Sequence, residues 1–169
     1  MTPDEEIAIR VRLAQDFRAY AASCLRIRTK AAEMLPLVLN RAQIHLHGRL
    51  EGQRERTGKV RAIILKGRQQ GCSTYVGARF YHQSTHRKAV RVFILTHEQD
   101  ATDNLFGMVA RFHENVPEPF RPHTGAANAK ELNFDQMDSG YHVGTAGAKG
   151  TGRSQTLQLF HGSEVAFWP

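Results

Sequence analysis

Cysteine is scarce in this chain of 169 residues. Cys24 and Cys72 stand far apart and form no CxxC pair, so no disulfide framework is implied and a reducing compartment fits. No apolar run approaches the roughly 20 residues that a membrane helix needs. The opening MTPDEE is acidic and lacks the basic-then-apolar layout of a signal peptide. Internal repeats and long low-complexity tracts are absent as well. These absences lead us to expect a cytosolic chain with no membrane partner.

What remains describes an ordinary globular protein. The length suits one domain and a real core. Hydrophobic residues make up 41% and charged residues 23%, both usual for such a chain. The formal charge of +7 is not neutral. That excess suits a polyanionic partner, because Lys and Arg that meet phosphates release condensed counterions; a merely basic surface meets it equally well.

Along the chain, residues 5–30 place Ile7, Val11, Ala14, Phe17, Ala21, Cys24 and Leu25 at helical spacings. This predicts one amphipathic helix, with its arginines on a solvated face. Pro36 interrupts the next apolar stretch, and Asn40 is placed to cap a second helix, RAQIHLHGRLEGQRER. GQRERTGK then reads as a connection. At Val60 the pattern changes: VRAIIL is short, apolar and β-rich, and it runs into the turn KGRQQG. STYVGARFYHQSTH predicts a helix, VRVFIL a strand, and residues 100–114 a helix that Pro117, Pro119 and Pro122 forbid from continuing. ELNFD and GYHVGTA alternate as a short hairpin, GAKGTGRS is a Gly-rich basic loop, and TLQLFH is a last strand. Strand, glycine turn, helix, strand, helix and returning strand describe an α/β unit with a parallel core. Such sheets bind ligands beyond the carboxyl ends of their strands.

The turn carries the first chemical motif, Lys66-Gly67-Arg68-Gln69-Gln70-Gly71-Cys72-Ser73-Thr74, between a predicted strand and a predicted helix. Glycines let the backbone wrap an anion, and a helix N-terminus offers free amides and a positive dipole end. Against the phosphate-loop pattern GxxxxGK[ST], Cys72 stands where the lysine belongs and Lys66 where the first glycine belongs. A lysine at the mouth of the strand reaches the same phosphates from the other side of the loop. Arg68 adds a forked positive group, and the hydroxyl of Ser73 is placed to ligate Mg²⁺. A plain Gly-containing βα turn is the alternative.

A phosphate loop needs an acid at the end of another core strand. Glu164 follows TLQLFH-Gly-Ser and meets that description. Ser163 stands where an Asp is usual; its hydroxyl can bond a metal-bound water but adds no charge. A surface acid in a turn is the bland reading of Glu164.

Together, KGRQQGCST and TAGAKGTGRSQTLQLFHGSEVAFWP resemble the N-terminal ATPase region of tailed-phage terminase large subunits, from about residue 37 to 169. In that family a lysine displaced to the start of the loop is a known variant, and the acidic strand commonly ends in Glu-x-Ala-Phe. LNRAQ at residues 39–43 resembles the family's adenine-contacting glutamine. The resemblance implies a P-loop NTPase-like, mostly parallel sheet flanked by helices and preceded by a helical N-terminal segment. It divides the chain into residues 1–56, helical and adenine-contacting, and 57–169, an ATPase core incomplete at its C-terminus and without the family's nuclease domain.

The roles implied are specific. ATP would lie on residues 66–74, with Lys66 and Arg68 on the β- and γ-phosphates and Ser73 on Mg²⁺. Ser163 would reach Mg²⁺ through water, Glu164 would be the catalytic carboxylate, and Gln43 would read adenine. Arg153 would reach the neighbouring subunit's ATP. The implied activity is Mg²⁺-dependent ATP hydrolysis driving double-stranded DNA into a capsid. The implied partners are that DNA, a portal protein, a small terminase subunit and further copies in a ring, in the cytoplasm of a bacterial host. Another phage DNA-dependent ATPase or helicase-like motor fits the same motifs. Ser163 and Cys72 also suit a nucleotide- or DNA-binding module without turnover. His45 with His47, and His82 with His86, have no third ligand nearby, so no metal beyond Mg²⁺ is expected.

Overall fold

The computed structural model describes residues 2–125, 127–128, 130–148 and 156–169. Helix α1 (Pro3–Gln15) starts at a capping box between Thr2 and Glu5, with Pro3 in its first turn. The expected single helix over residues 5–30 is in fact two. Asp16 takes an extended conformation, ends α1, and accepts the Ala19 amide to cap α2 (Phe17–Cys24). The apolar spacing fails accordingly. Phe17, Ala21, Cys24 and Leu25 are buried, whereas Ile7 and Val11 are exposed and α1 buries only Leu13. A hairpin of β1 (Arg26–Arg28) and β2 (Met34–Pro36) follows.

Asn40 caps α3 (Arg41–Thr57) as expected, in a reciprocal box with Gln43. The helix expected over residues 41–56 runs one residue further, to Thr57, and stops at Gly58, whose φ of +68° suits glycine; of GQRERTGK only the last two residues lie beyond it. Helix α4 (Cys72–His86), β3 (Arg91–Thr96) and α5 (Gln99–Asn115) lie where the sequence placed them. Strand β4 (Ala127–Asn128) precedes the hairpin of β5 (Glu131–Phe134) and β6 (Ser139–Thr145), and β7 (Leu159–Gly162) returns last.

One sheet holds these strands in the order β4-β5-β6-β3-β7. Both β6 and β7 run parallel to β3, while β5 is antiparallel to β6. The chain is thus mixed α/β with a parallel three-strand centre. Val92 and Ile94 of β3 and Tyr141 and Val143 of β6 face a core shared with Tyr75, Ala78 and Tyr81 of α4 and Phe106, Val109 and Phe112 of α5. Leu13, Phe17, Tyr20 and Leu50 join that same cluster, so the N-terminal helices pack into one continuous core with the sheet. Burying each such side chain stabilises the fold by about 1.5–3 kcal/mol before entropy is counted. On the opposite face, Phe160, Phe93 and His142 stack in a row across three strands.

The expected strand VRAIIL is not in the sheet. Residues 60–67 have no assigned secondary structure, and Ile63 and Leu65 are fully exposed. β3 is paired on both edges, by β6 and β7, while the outer edge of β7 has no strand beside it among the described residues. The segment instead runs beside α3, where Ala62 and Ile64 line a cleft with Leu46 and Leu50.

Candidate functional site

The loop after residue 65 turns through two left-handed residues. Gln69 has φ +60° and Gly71 has φ +73°, with Gly71 the N-cap of α4. Left-handed residues alternating with others point successive amides to one side, the geometry of an anion-binding nest. Immediately after, the first turn of α4 has amides with no partner inside the helix. No side chain caps that end. Lys66, Gly67, Arg68, Gln69 and Gln70 are exposed, Gly71, Ser73 and Thr74 are half-buried, and Cys72 is buried.

Three side chains hold this loop from the N-terminal half. Asn40 Nδ2 donates to the Gln70 carbonyl at 3.3 Å, Gln43 Nε2 donates to the Gly71 carbonyl at 2.8 Å, and Lys30 Nζ donates to Gln69 Oε1 at 2.9 Å. A Cβ at residue 71 would lie 2.7 Å from Gln43 Nε2, so both backbone angle and space require glycine there. Gln43 is buried and its amide is engaged at both ends, since Oε1 also accepts the Asn40 amide at 2.9 Å. One N–H and one lone pair of that amide are left over.

Beside the loop, α3 and residues 62–67 enclose a cleft of about 790 Å³. Its wall carries Arg41, Arg49, Arg56 and Lys66 over an apolar floor of Leu46 and Leu50. Lys66 also lies close enough to β7 to act on His161, whose pKa is held down to about 4, first by burial and then by that positive charge.

At the end of β7 the backbone folds back on itself. The Ser163 amide continues the ladder by donating to the Leu95 carbonyl at 2.8 Å. Ser163 is buried, and its carbonyl accepts from Trp168 Nε1 at 3.1 Å. Glu164 takes the left-handed region at φ +54° and caps a 3-10 turn, 165–167. Gly162 makes that return possible, because a Cβ there would meet Val165 at 2.9 Å and the Trp168 ring at 3.1 Å. The Glu164 carboxylate is half-exposed, and His97 Nδ1 lies 3.9 Å from it.

The neighbouring strand ends were not singled out in the sequence. Thr96, Thr102 and Thr145 form a hydroxyl chain, 2.6 Å and 2.7 Å long, that ties the ends of β3 and β6 to α5. Thr145 and Lys130 both donate to Gln99 Oε1. Single Thr and His residues carry no spacing signal, so only the register of β3, β6 and β7 reveals this cluster. Arg153, the expected cross-subunit arginine, lies outside the described residues. Among the described residues, no group of three or more His, Cys, Asp or Glu is arranged to hold a metal.

In sum, a basic loop at a helix N-terminus and an acid beyond a parallel strand stand on one mixed α/β frame. No protein-family model matches the chain, and no curated protein sequence matches it.

Proposed function

We propose that the chain is a Mg²⁺-dependent ATPase of the terminase large-subunit type, using the loop at residues 66–74 and the acid at Glu164. The observation that carries this reading is the conjunction at α4. An uncapped helix N-terminus with Gln69 and Gly71 left-handed before it shares its lysine, Lys66, with the surroundings of the strand that ends in Glu164. Free amides and a helix dipole favour a phosphate, and Lys66 and Arg68 are exposed and able to swing onto it. The arginine-walled cleft beside the loop suits the rest of a nucleotide.

The residues fit Mg²⁺ in the modest way such sites require. A Mg²⁺ ion bound mainly through phosphate oxygens and water needs one or two protein oxygens, and Ser73 supplies a half-buried hydroxyl in the first turn of α4. When bound, the ion neutralises charge on the phosphate oxygens. Glu164 accepts a hydrogen bond from water and aims it at the γ-phosphate, while Lys66, Arg68 and the amides of the loop hold the charge that builds there. Ser163 adds a hydroxyl beside the acid but no charge. Gln43 fixes the Gly71 carbonyl; its remaining N–H and lone pair are what it can offer adenine. The charge of +7 suits double-stranded DNA as the translocated partner, with a portal, a small subunit and a ring of copies following from the family resemblance.

The unpaired segment 60–67 favours a second reading, a nucleotide- or DNA-binding module without turnover. Phosphate release with and without Mg²⁺ and duplex DNA separates the two. Release that needs Mg²⁺ and stops in Glu164→Gln is expected. Tight binding of a fluorescent ATP analogue with no release would establish the second reading instead.

A further inference from the structure

The parallel register of β3 and β7 brings one imidazole to the acid. Leu95 pairs with Gly162, so His97, just past β3, comes beside Glu164, just past β7. Three observations make this more than proximity. His97 Nδ1 is buried and has no hydrogen-bond partner among the described residues. The acceptor it faces is Glu164 Oε2 at 3.9 Å, too long for a hydrogen bond and short enough for a side-chain rotation to close. The ring also packs against the Phe167 ring at 5.8 Å, with Nε2 3.2 Å from Glu98 Oε1.

Glu164 needs such a guide. Its backbone is fixed in the left-handed region by the turn folded over Gly162, which sets where the side chain starts and leaves free where it points. Strained backbone of this kind persists where the surroundings over-determine it, and it gathers at working sites. An imidazole donates from one ring nitrogen when neutral and from both when cationic, so it can serve one carboxylate or bridge two.

We infer that His97 is a positioning residue for Glu164: its Nδ1–H closes onto Oε2 and sets the direction of the carboxylate. The inference rests on the ATPase reading, because the acid it aims is the one proposed to orient water.

The test uses the whole chain with His97→Ala, His97→Asn, His97→Gln and Glu164→Gln. His97→Ala is expected to lower kcat by about ten- to a hundredfold, as loss of an orienting partner does, with KM and binding of a fluorescent ATP analogue within about twofold. His97→Asn, whose amide nitrogen falls near the place of Nδ1, keeps most of the rate; His97→Gln, which reproduces Nε2, does not. A thermal double-mutant cycle supplies a readout free of catalysis. The Tm losses of His97→Ala and Glu164→Gln should fall short of additivity by about 1–2 °C. Additive losses, or His97→Ala at the parental kcat while Glu164→Gln is inactive, overturn the assignment. Persistent Tm coupling with no hydrolysis by the unsubstituted chain leaves the contact standing and sinks the ATPase reading alone.

Discussion

Two stretches that look alike in the sequence behave in opposite ways in the fold. VRVFIL and VRAIIL are both short, apolar and rich in β-branched residues. The first becomes β3, the centre of the parallel sheet, with Val92 and Ile94 buried and partners on both edges. The second lies unpaired along α3, with Ile63 and Leu65 fully exposed. Composition is nearly constant between them; the difference is in their neighbours, since the second stays unpaired although the outer edge of β7 has no strand beside it among the described residues. A strand is stabilised by its neighbours as much as by its residues. The same contrast divides the candidate site. The acid at Glu164 sits on the paired framework, whereas Lys66 and Arg68 follow directly from the unpaired segment.

The largest effect should come from the paired strand. Ile94→Ala removes a fully buried side chain at the sheet centre and should cost about 2–5 kcal/mol in urea unfolding. A loss below about 1 kcal/mol, the scale of an ordinary surface change, would mean that β3 is not the centre of the core.

Acid should weaken the packed half next. Burial, with neighbouring His86 and Arg79 adding to it, holds the His82 pKa down from 6.5 to about 4, against smaller opposing effects from the Leu13 carbonyl and Asp16. His161 is held down to about 4 as well. Such histidines stay neutral in the fold and take up protons when the chain unfolds. Their contribution is therefore complete above pH 6.5 and is lost as pH falls toward 4. Stability should drop by on the order of a few kcal/mol across that window, and His82→Gln should flatten the slope. A pH-independent unfolding midpoint between those limits would contradict the burial of both rings.

Gly71→Ala probes the junction between the two regions. It forces a Cβ into a left-handed position and against Gln43, so a loss of about 1–3 kcal/mol is expected. On the proposed ATPase reading, binding of an ATP analogue should weaken by more than the loss of stability accounts for. If the variant binds as tightly as the parent, the clamp from Asn40 and Gln43 is not what shapes the loop.

The smallest effect sharpens the comparison most. Leu65→Ala should change stability by less than about 0.5 kcal/mol, since a fully exposed side chain has little burial to lose. A cost near that of Ile94→Ala would show that residues 60–65 do join a sheet in solution, and the contrast would collapse.

Several features are legible in the sequence, because their causes are local. The Asn40 cap, α4 after Gly71, the stop of α5 before Pro117 and the β5–β6 hairpin each depend on residues a few positions apart. The same holds for the glycine turn and for the acid two residues past β7. Other features needed the tertiary structure, because they depend on what lies next in space. That VRAIIL stays out of the sheet while VRVFIL becomes its centre is not written in their composition, which is nearly the same. The engagement of Gln43 by the loop 28 residues away, and the meeting of His97 with Glu164, turned on register. Sequence alone thus determined the turns, caps and most elements, where short-range sterics and hydrogen bonds decide. Only the fold decided which apolar run became the sheet centre and which side chains surround the acid, because edges, partners and burial are properties of the packed whole.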